Sequence, residues 1–248
     1  MPGDMQRTDS SRDGDEENVI AGPPRDVAPF QYRFADLVAH DPAVRGRVLD
    51  IGCGPGFHRS LSFIPRVASQ VDGVDPGDGI ENNLSVAMKW RGTLEQADVP
   101  QGAYDLAVAY NVVEHIEDPH AFLNVVHRLL KPGGHFWALT PHSRHLFAML
   151  SRGLECAGAK RFIARRNASV NDYPAYYRLN SRRQVERVLT GLALQATHIE
   201  CMTAPGWYEG YFPHWLHWSA RIYDNLLGER FKSFNPIFMF CLERTDGR

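Results

Sequence analysis

Hydrophobic and polar positions along this chain switch repeatedly between two periods from Phe30 onward. In FQYRFADLVA, Phe30, Phe34 and Leu37 fall at helical spacing. RVLDIGC then reads as a buried strand, followed by a helix predicted over residues 59–69. QVDGVD is a second strand ending at Asp75, with a helix predicted over residues 80–88 and a short third strand in WRGTLEQ. YDLAVAYNVV is a strong fourth strand. PHAFLNVVHRLLKPGG is a helix with Phe122, Val125, Val126 and Leu129 on its buried face, ended by Lys131, Pro132, Gly133 and Gly134. HFWALTP is the fifth strand. SRRQVERVLTGL is a helix with Ser181 as its N-cap, and LQATHIECM and PIFMFCLER close the pattern as two final strands.

Such alternation predicts an α/β fold, a Rossmann-like, doubly wound, mostly parallel sheet with helices on both faces. Ligands of these sheets bind beyond the carboxyl ends of the strands. Asp50, Asp75, Asn111 and Pro141 all fall at such ends. Two segments break the rhythm, residues 142–177 with KRFIARRN and residues 203–232 with an aromatic-dense run. Both are expected to form a small cap over a substrate, on a single domain of residues 25–248. Residues 1–24, polar, acidic and rich in breakers, are expected to be disordered.

Composition narrows the classes without choosing among them. A formal net charge of −2 gives no electrostatic case for a nucleic-acid partner. The four cysteines have no paired spacing, so the sequence indicates neither a zinc site nor a disulfide framework, and a reducing cytoplasm is the expected location. No run reaches the ~20 apolar residues of a membrane span, and the first residues lack the pattern of a secretion signal.

The glycine-rich turn carries the chemistry. Its spacing is Asp50-x-Gly52-x-Gly54-x-Gly56, not the G-x-G-x-x-G of a dinucleotide site, which speaks against a NAD-dependent reductase. An aspartate in the turn opposes a phosphate and suits a cation. Asp75, at the next strand end, can accept hydrogen bonds from the vicinal hydroxyls of a ribose. A ribose with a positive charge and no phosphate describes S-adenosylmethionine (SAM).

VLDIGCGPG, VDGVD, YDLAVAYNVVEHIEDP and LLKPGGHFWALTP resemble successive motifs of the class I SAM-dependent methyltransferases, especially the ubiquinone, sugar and natural-product enzymes. The resemblance is close over about residues 45–142 and looser through RLNSRRQVERVLTGLAL. It implies a seven-stranded sheet with its last strand antiparallel, SAM as cofactor and S-adenosylhomocysteine as product. It also implies roles. Gly52 and Gly54 would line the methionine moiety, with Asp50 orienting its amino group. Asp75 would hold the ribose, and Thr93, Leu94 and Glu95 would flank the adenine. Asn111 and Val112 would close the pocket through backbone groups. Relatives often carry an acidic residue near Thr93, and this chain departs there.

Methyl transfer from a sulfonium expels a neutral thioether and needs no acid, so positioning and desolvation carry much of it. A hydroxyl nucleophile adds the need for a base, usually His. His142 and His115 are the candidates, with His145 third. Glu114 and Asp118 could serve a divalent cation, though no metal is indicated. Tyr173, Tyr176, Tyr177, Arg178, Trp207 and Tyr211 are candidate substrate contacts, and Arg161, Arg165 and Arg166 could grip an anion. Trp215, Trp218, Ile222 and Leu226 form one helical stripe, which can be core, a membrane-surface helix or part of the cap. The expected function is methyl transfer to a small-molecule acceptor, at a hydroxyl oxygen. The alternatives are N- or C-methylation, including quinone or lipid substrates, and a SAM-binding partner subunit without catalysis.

Overall fold

The computed structural model describes residues 24–145, 148–150, 152–153, 173–204, 217–218, 221–222, 226 and 235–246. Among these, seven strands form one sheet in the order β3-β2-β1-β4-β5-β7-β6. The strands are β1 (Arg47–Ile51), β2 (Gln70–Asp75), β3 (Lys89–Arg91), β4 (Tyr104–Tyr110), β5 (Leu130–Pro141), β6 (Leu194–Met202) and β7 (Ile237–Arg244). β1 to β5 pair in parallel, and β7 runs antiparallel to both β5 and β6. The order reverses between β1 and β4, which is the switch point where open α/β sheets place their ligands.

Alternating side chains of the central strands feed two cores. On one face Phe136 joins Phe122 and Val126 of α3 (Pro119–Leu129). On the other, Trp137 joins Phe34 and Val38 of α1 (Pro29–His40). Asp118 starts α3 as its N-cap, accepting the amide hydrogens of His120 and Ala121. Ser181 starts α4 (Arg182–Val188), but its hydroxyl donates to the Gln184 side chain at 2.8 Å and does not cap a helix amide.

Three elements are shorter than their apolar patterns predict. Residues 59–69 break into a 3-10 turn (Arg59–Leu61) and the single-turn α2 (Ile64–Val67), which has a proline in its first turn and an extended residue, Ala68, at its end. Residues 80–88 hold only the 3-10 turn Asp78–Asn82. There the Asn83 side chain donates to the carbonyls of Cys53 and Gly54 and accepts from the Ser85 amide, replacing helical bonds with local ones. β3 (Lys89–Arg91) keeps only Trp90 and Arg91 of the predicted third strand. β5 is longer than HFWALTP, because Lys131 to Gly134 join it through an irregularity in its register with β4.

Among the described residues no helix is long and apolar enough to cross a membrane. The expected disordered tail lies outside the described residues up to position 23, as do Trp207, Tyr211, Trp215, Arg161, Arg165 and Arg166 and most of the two expected cap segments. Trp218, Ile222 and Leu226 are described and exposed, Trp218 at 73%.

Candidate active site

A cavity of about 970 Å³ opens at the carboxyl ends of β1, β2 and β4. Its floor is the turn after β1. Gly52 sits at φ 76°, and a Cβ there would lie 2.3 Å from Cγ2 of Val112, so both the conformation and the space require glycine. The Gly52 amide donates to the Val74 carbonyl at 2.8 Å, which ties the turn to β2.

Two carboxylates face this floor. Asp50 is almost fully buried, and burial first, then the nearby charge of Asp75, push its carboxyl well above the usual carboxylate range. Asp75 accepts the Gly54 amide at 2.9 Å on one oxygen and the Gly77 amide at 2.7 Å on the other, and each oxygen has a further lone pair for a ligand hydroxyl. Cys53 lies beside them, its thiol raised to about 12 by burial and by these two carboxylates. Asn111 follows β4 in the left-handed region, at φ 55°, and its side-chain oxygen is buried with no hydrogen-bond partner. A carboxyl pressed toward its neutral form and an unmatched acceptor are features that a cationic, hydrogen-bonding ligand would suit. Thr93, Leu94, Glu95 and Val112 complete this side of the cavity, so all nine expected cofactor contacts line one space.

The expected substrate and base residues divide. His115 lines the cavity, and its Nδ1 is 2.8 Å from the Pro174 carbonyl. A carbonyl only accepts, so Nδ1 carries a proton and Nε2 holds the lone pair in the neutral ring. Tyr173 packs its edge near that ring at 6.2 Å, and Tyr176 lines the same wall. The strap carrying them is pinned by the Tyr176 and Tyr177 amides, which both donate to the Glu114 carbonyl, at 2.7 and 3.0 Å.

His142 does not line the cavity. It is buried against the edge of Phe238, its Nδ1 accepts the Arg144 amide at 3.1 Å, and burial lowers its pKa to about 4. His145 is buried one turn further on. Tyr177 is 3% exposed in a small cluster with Ala148 and Ala175, and Arg178 reaches outward to the Glu117 carbonyl and over the Tyr176 ring. Neither lines the cavity. Glu114 accepts from the Thr140 hydroxyl at 2.8 Å while Asp118 caps α3, so the two carboxylates serve separate structural roles.

Sequence reasoning missed the wall opposite His115. His58 and Tyr110 stack there with centroids 4.0 Å apart and planes 10° from parallel, and Gln31 of α1 donates to the Tyr110 hydroxyl at 3.0 Å. The signal was available, since His58 and Tyr110 stand next to the glycine turn and to Asn111.

The profile of the methyltransferase domain family matches residues 28–208, and the chain belongs to this family of SAM-dependent methyltransferases. A curated ubiquinone biosynthesis O-methyltransferase of Pseudomonas aeruginosa is 30% identical over 141 residues, 52% of this chain and 59% of that protein. The chain thus spans less than two thirds of that relative's length. The fold is shared with a SAM-dependent methyltransferase from Mesorhizobium loti, with TM-score 0.55, 19% identity and 86% and 97% of the two chains covered. It is also shared with the [4+2]-cyclase SpnF, with TM-score 0.56, 17% identity and 91% and 87% covered.

Proposed function

We propose that this chain transfers the methyl group of SAM to a hydroxyl oxygen of a small-molecule acceptor, with His115 as the base. One observation supports this above the others. The cavity has Asp50 and Asp75 on its cofactor side and, on another wall, a histidine whose Nδ1 proton is held by a main-chain carbonyl. In the family, SAM supplies an activated methyl group on a cationic sulfur.

Asp50 binds the ammonium of the methionine moiety, gaining the counter-charge that its buried position lacks. Asp75 takes the ribose hydroxyls, and Leu94 covers the adenine. The acceptor lies between the His58 and Tyr110 wall and His115. Its oxygen forms a bond to the methyl carbon as the carbon–sulfur bond breaks, and the hydroxyl proton passes to Nε2 of His115. The sulfur leaves as a neutral thioether, and the ring returns its proton to solvent. Similarity to an O-methyltransferase of ubiquinone biosynthesis supports oxygen as the methylated atom. Residues 25–248 form one domain in this reading, and Tyr173 and Tyr176 stand beside the acceptor.

Incubation with methyl-labelled SAM and a panel of phenolic, sugar and polyketide hydroxyls tests the reading. His115→Gln should lower turnover about 100-fold while leaving SAM affinity nearly unchanged. Full activity in that variant would remove the base from the mechanism. A second reading, a chain of this fold that does not transfer a methyl group, is supported by the same fold in a [4+2]-cyclase. SAM binding with no labelled product from any acceptor would favour it.

A further inference from the structure

The opposite end of the sheet holds a second convergence of donor groups, unrelated to the cavity. Asp41 ends α1, His135 stands where β5 begins its regular pairing with β4, and Cys241 lies on β7 directly across from Trp137. One donor atom from each of Asp41, His135 and Cys241 lies within 4.8 Å of the other two. Asp41 and Cys241 are buried, and His135 is the partly exposed member, its side chain at 23%.

We propose that Asp41, His135 and Cys241 form a structural binding site for a zinc-type divalent ion. The donor set is a carboxylate oxygen, an imidazole nitrogen and a sulfur, the mixture that a borderline ion such as Zn²⁺ accepts. Donors around a tetrahedral Zn²⁺ stand roughly 3.3–3.7 Å apart, given bonds of about 2.0 Å to N and O and about 2.3 Å to S. Oδ2 of Asp41 and Nδ1 of His135 are now 2.6 Å apart, joined through a proton. An ion entering there takes the same two lone pairs, and the contact opens by well under 1 Å per residue.

The exchange balances in protons and charge. On binding, the proton leaves Nδ1 and the ring takes one from solvent at Nε2, while the Cys241 thiol proton goes to solvent. The carboxylate and the thiolate then cancel the ion's two charges, leaving a neutral complex beside an apolar cluster, with Glu243 across the ladder from His135. A supporting contact is already built. The Trp137 indole donates to the same Asp41 oxygen at 2.7 Å, and the Ala43 amide donates to the other oxygen at 2.9 Å. The ion would tie the end of α1 to β5 and to the antiparallel β7, three elements distant in sequence.

The full chain, stripped with a chelator and dialysed, is titrated with Co²⁺ as a spectroscopic stand-in. One Co²⁺ per chain should bind with a thiolate charge-transfer band in the near ultraviolet, displaced by Zn²⁺. Cys241→Ser should lose the band, Cys53→Ser should keep it, and His135→Gln should weaken binding tenfold or more. Zn²⁺ should raise the melting temperature of the wild type and not that of His135→Gln. A folded wild type without the band overturns the proposal, as does a band that survives in Cys241→Ser. Should Cys241→Ser fail to fold, unchanged Co²⁺ affinity in His135→Gln overturns it instead. None of these readouts depends on methyl transfer.

Discussion

Carboxylates sit at both ends of the same strands, and the two ends treat them differently. At the amino end, Asp72 is fully buried yet takes an ion pair from Arg47 at 2.7 Å and hydrogen bonds from Gln70, Tyr104 and the Met88 amide. Asp105 accepts from the Arg47 amide and from Lys131. At the carboxyl end, Asp50 has a carboxyl pushed toward its neutral form, and Asn111 holds an unpartnered oxygen. A buried polar group costs little when its partners come from the protein and much when they do not. Asp72 and Asp105 are therefore completed by folding. The carboxyl end is the one expected to be completed by a ligand.

The largest effect separating the ends is expected at Asp72. Asp72→Ala strips the charge partner of Arg47 and leaves the Tyr104 hydroxyl without its acceptor in the core. It should cost about 3–5 kcal/mol of folding stability, read as a lower urea midpoint at constant slope. SAM affinity of the protein that remains folded should change less than about twofold. A large loss of SAM affinity with unchanged stability would erase the distinction between the ends.

Asp75 should show the opposite pattern. Asp75→Ala removes a carboxylate that offers two acceptor oxygens to the ribose, and SAM affinity should fall by about 2–3 kcal/mol in titration calorimetry. The melting temperature should drop far less than in Asp72→Ala, although the Gly54 and Gly77 amides lose an acceptor that water can replace at the cavity surface. Equal melting losses in the two variants would mean that Asp75 is also a folding residue.

This contrast explains how much was legible in the sequence. Strand ends are marked by sharp changes from apolar to polar or glycine, so Asp50, Asp75 and Asn111 could be placed on one edge from the pattern alone. The glycine spacing speaks against a phosphate, and the family motifs supply the expectations for the rest of the cofactor side. The acceptor side was less legible, because it depends on chain crossings that no periodicity encodes. His142 and His115 look equivalent as residues after strands. Only the packing shows one sealed under Phe238 and the other held open by the Pro174 carbonyl. Tyr177 and Arg178 stand beside Tyr176 in the chain, yet the left-handed turn at Tyr177, φ 52°, sends them away from the cavity. The helix expected over residues 80–88 is absent because apolar spacing does not register a side chain such as Asn83 competing for main-chain groups, and the one over 59–69 is cut short by the extended Ala68. The Asp41, His135 and Cys241 cluster was invisible for a similar reason, since no spacing motif joins residues from three separate elements.

The smallest effect tests the idea that the carboxyl end is held in an uncompleted state. Burial raises the pKa of Asp50 in the folded chain above its unfolded value near 3.8. The folded state therefore binds a proton more tightly than the unfolded state. The stability this contributes is fully present below the unfolded value and is lost as pH rises toward the raised folded value. At neutral pH the free protein carries this cost. Asp50→Asn has no charge to bury, so it should raise the melting temperature of the ligand-free protein at pH 7. The gain should shrink as pH falls below the unfolded value near 3.8, where the wild-type carboxyl becomes protonated in both states. The same variant should bind SAM more weakly, because the amide cannot balance the ammonium. Wild-type binding of SAM should release protons over the pH range where the free carboxyl is protonated, seen as a dependence of calorimetric heat on buffer ionisation. A variant that loses stability at pH 7, or whose melting temperature tracks pH as the wild type does, would show that Asp50 is already satisfied by its surroundings.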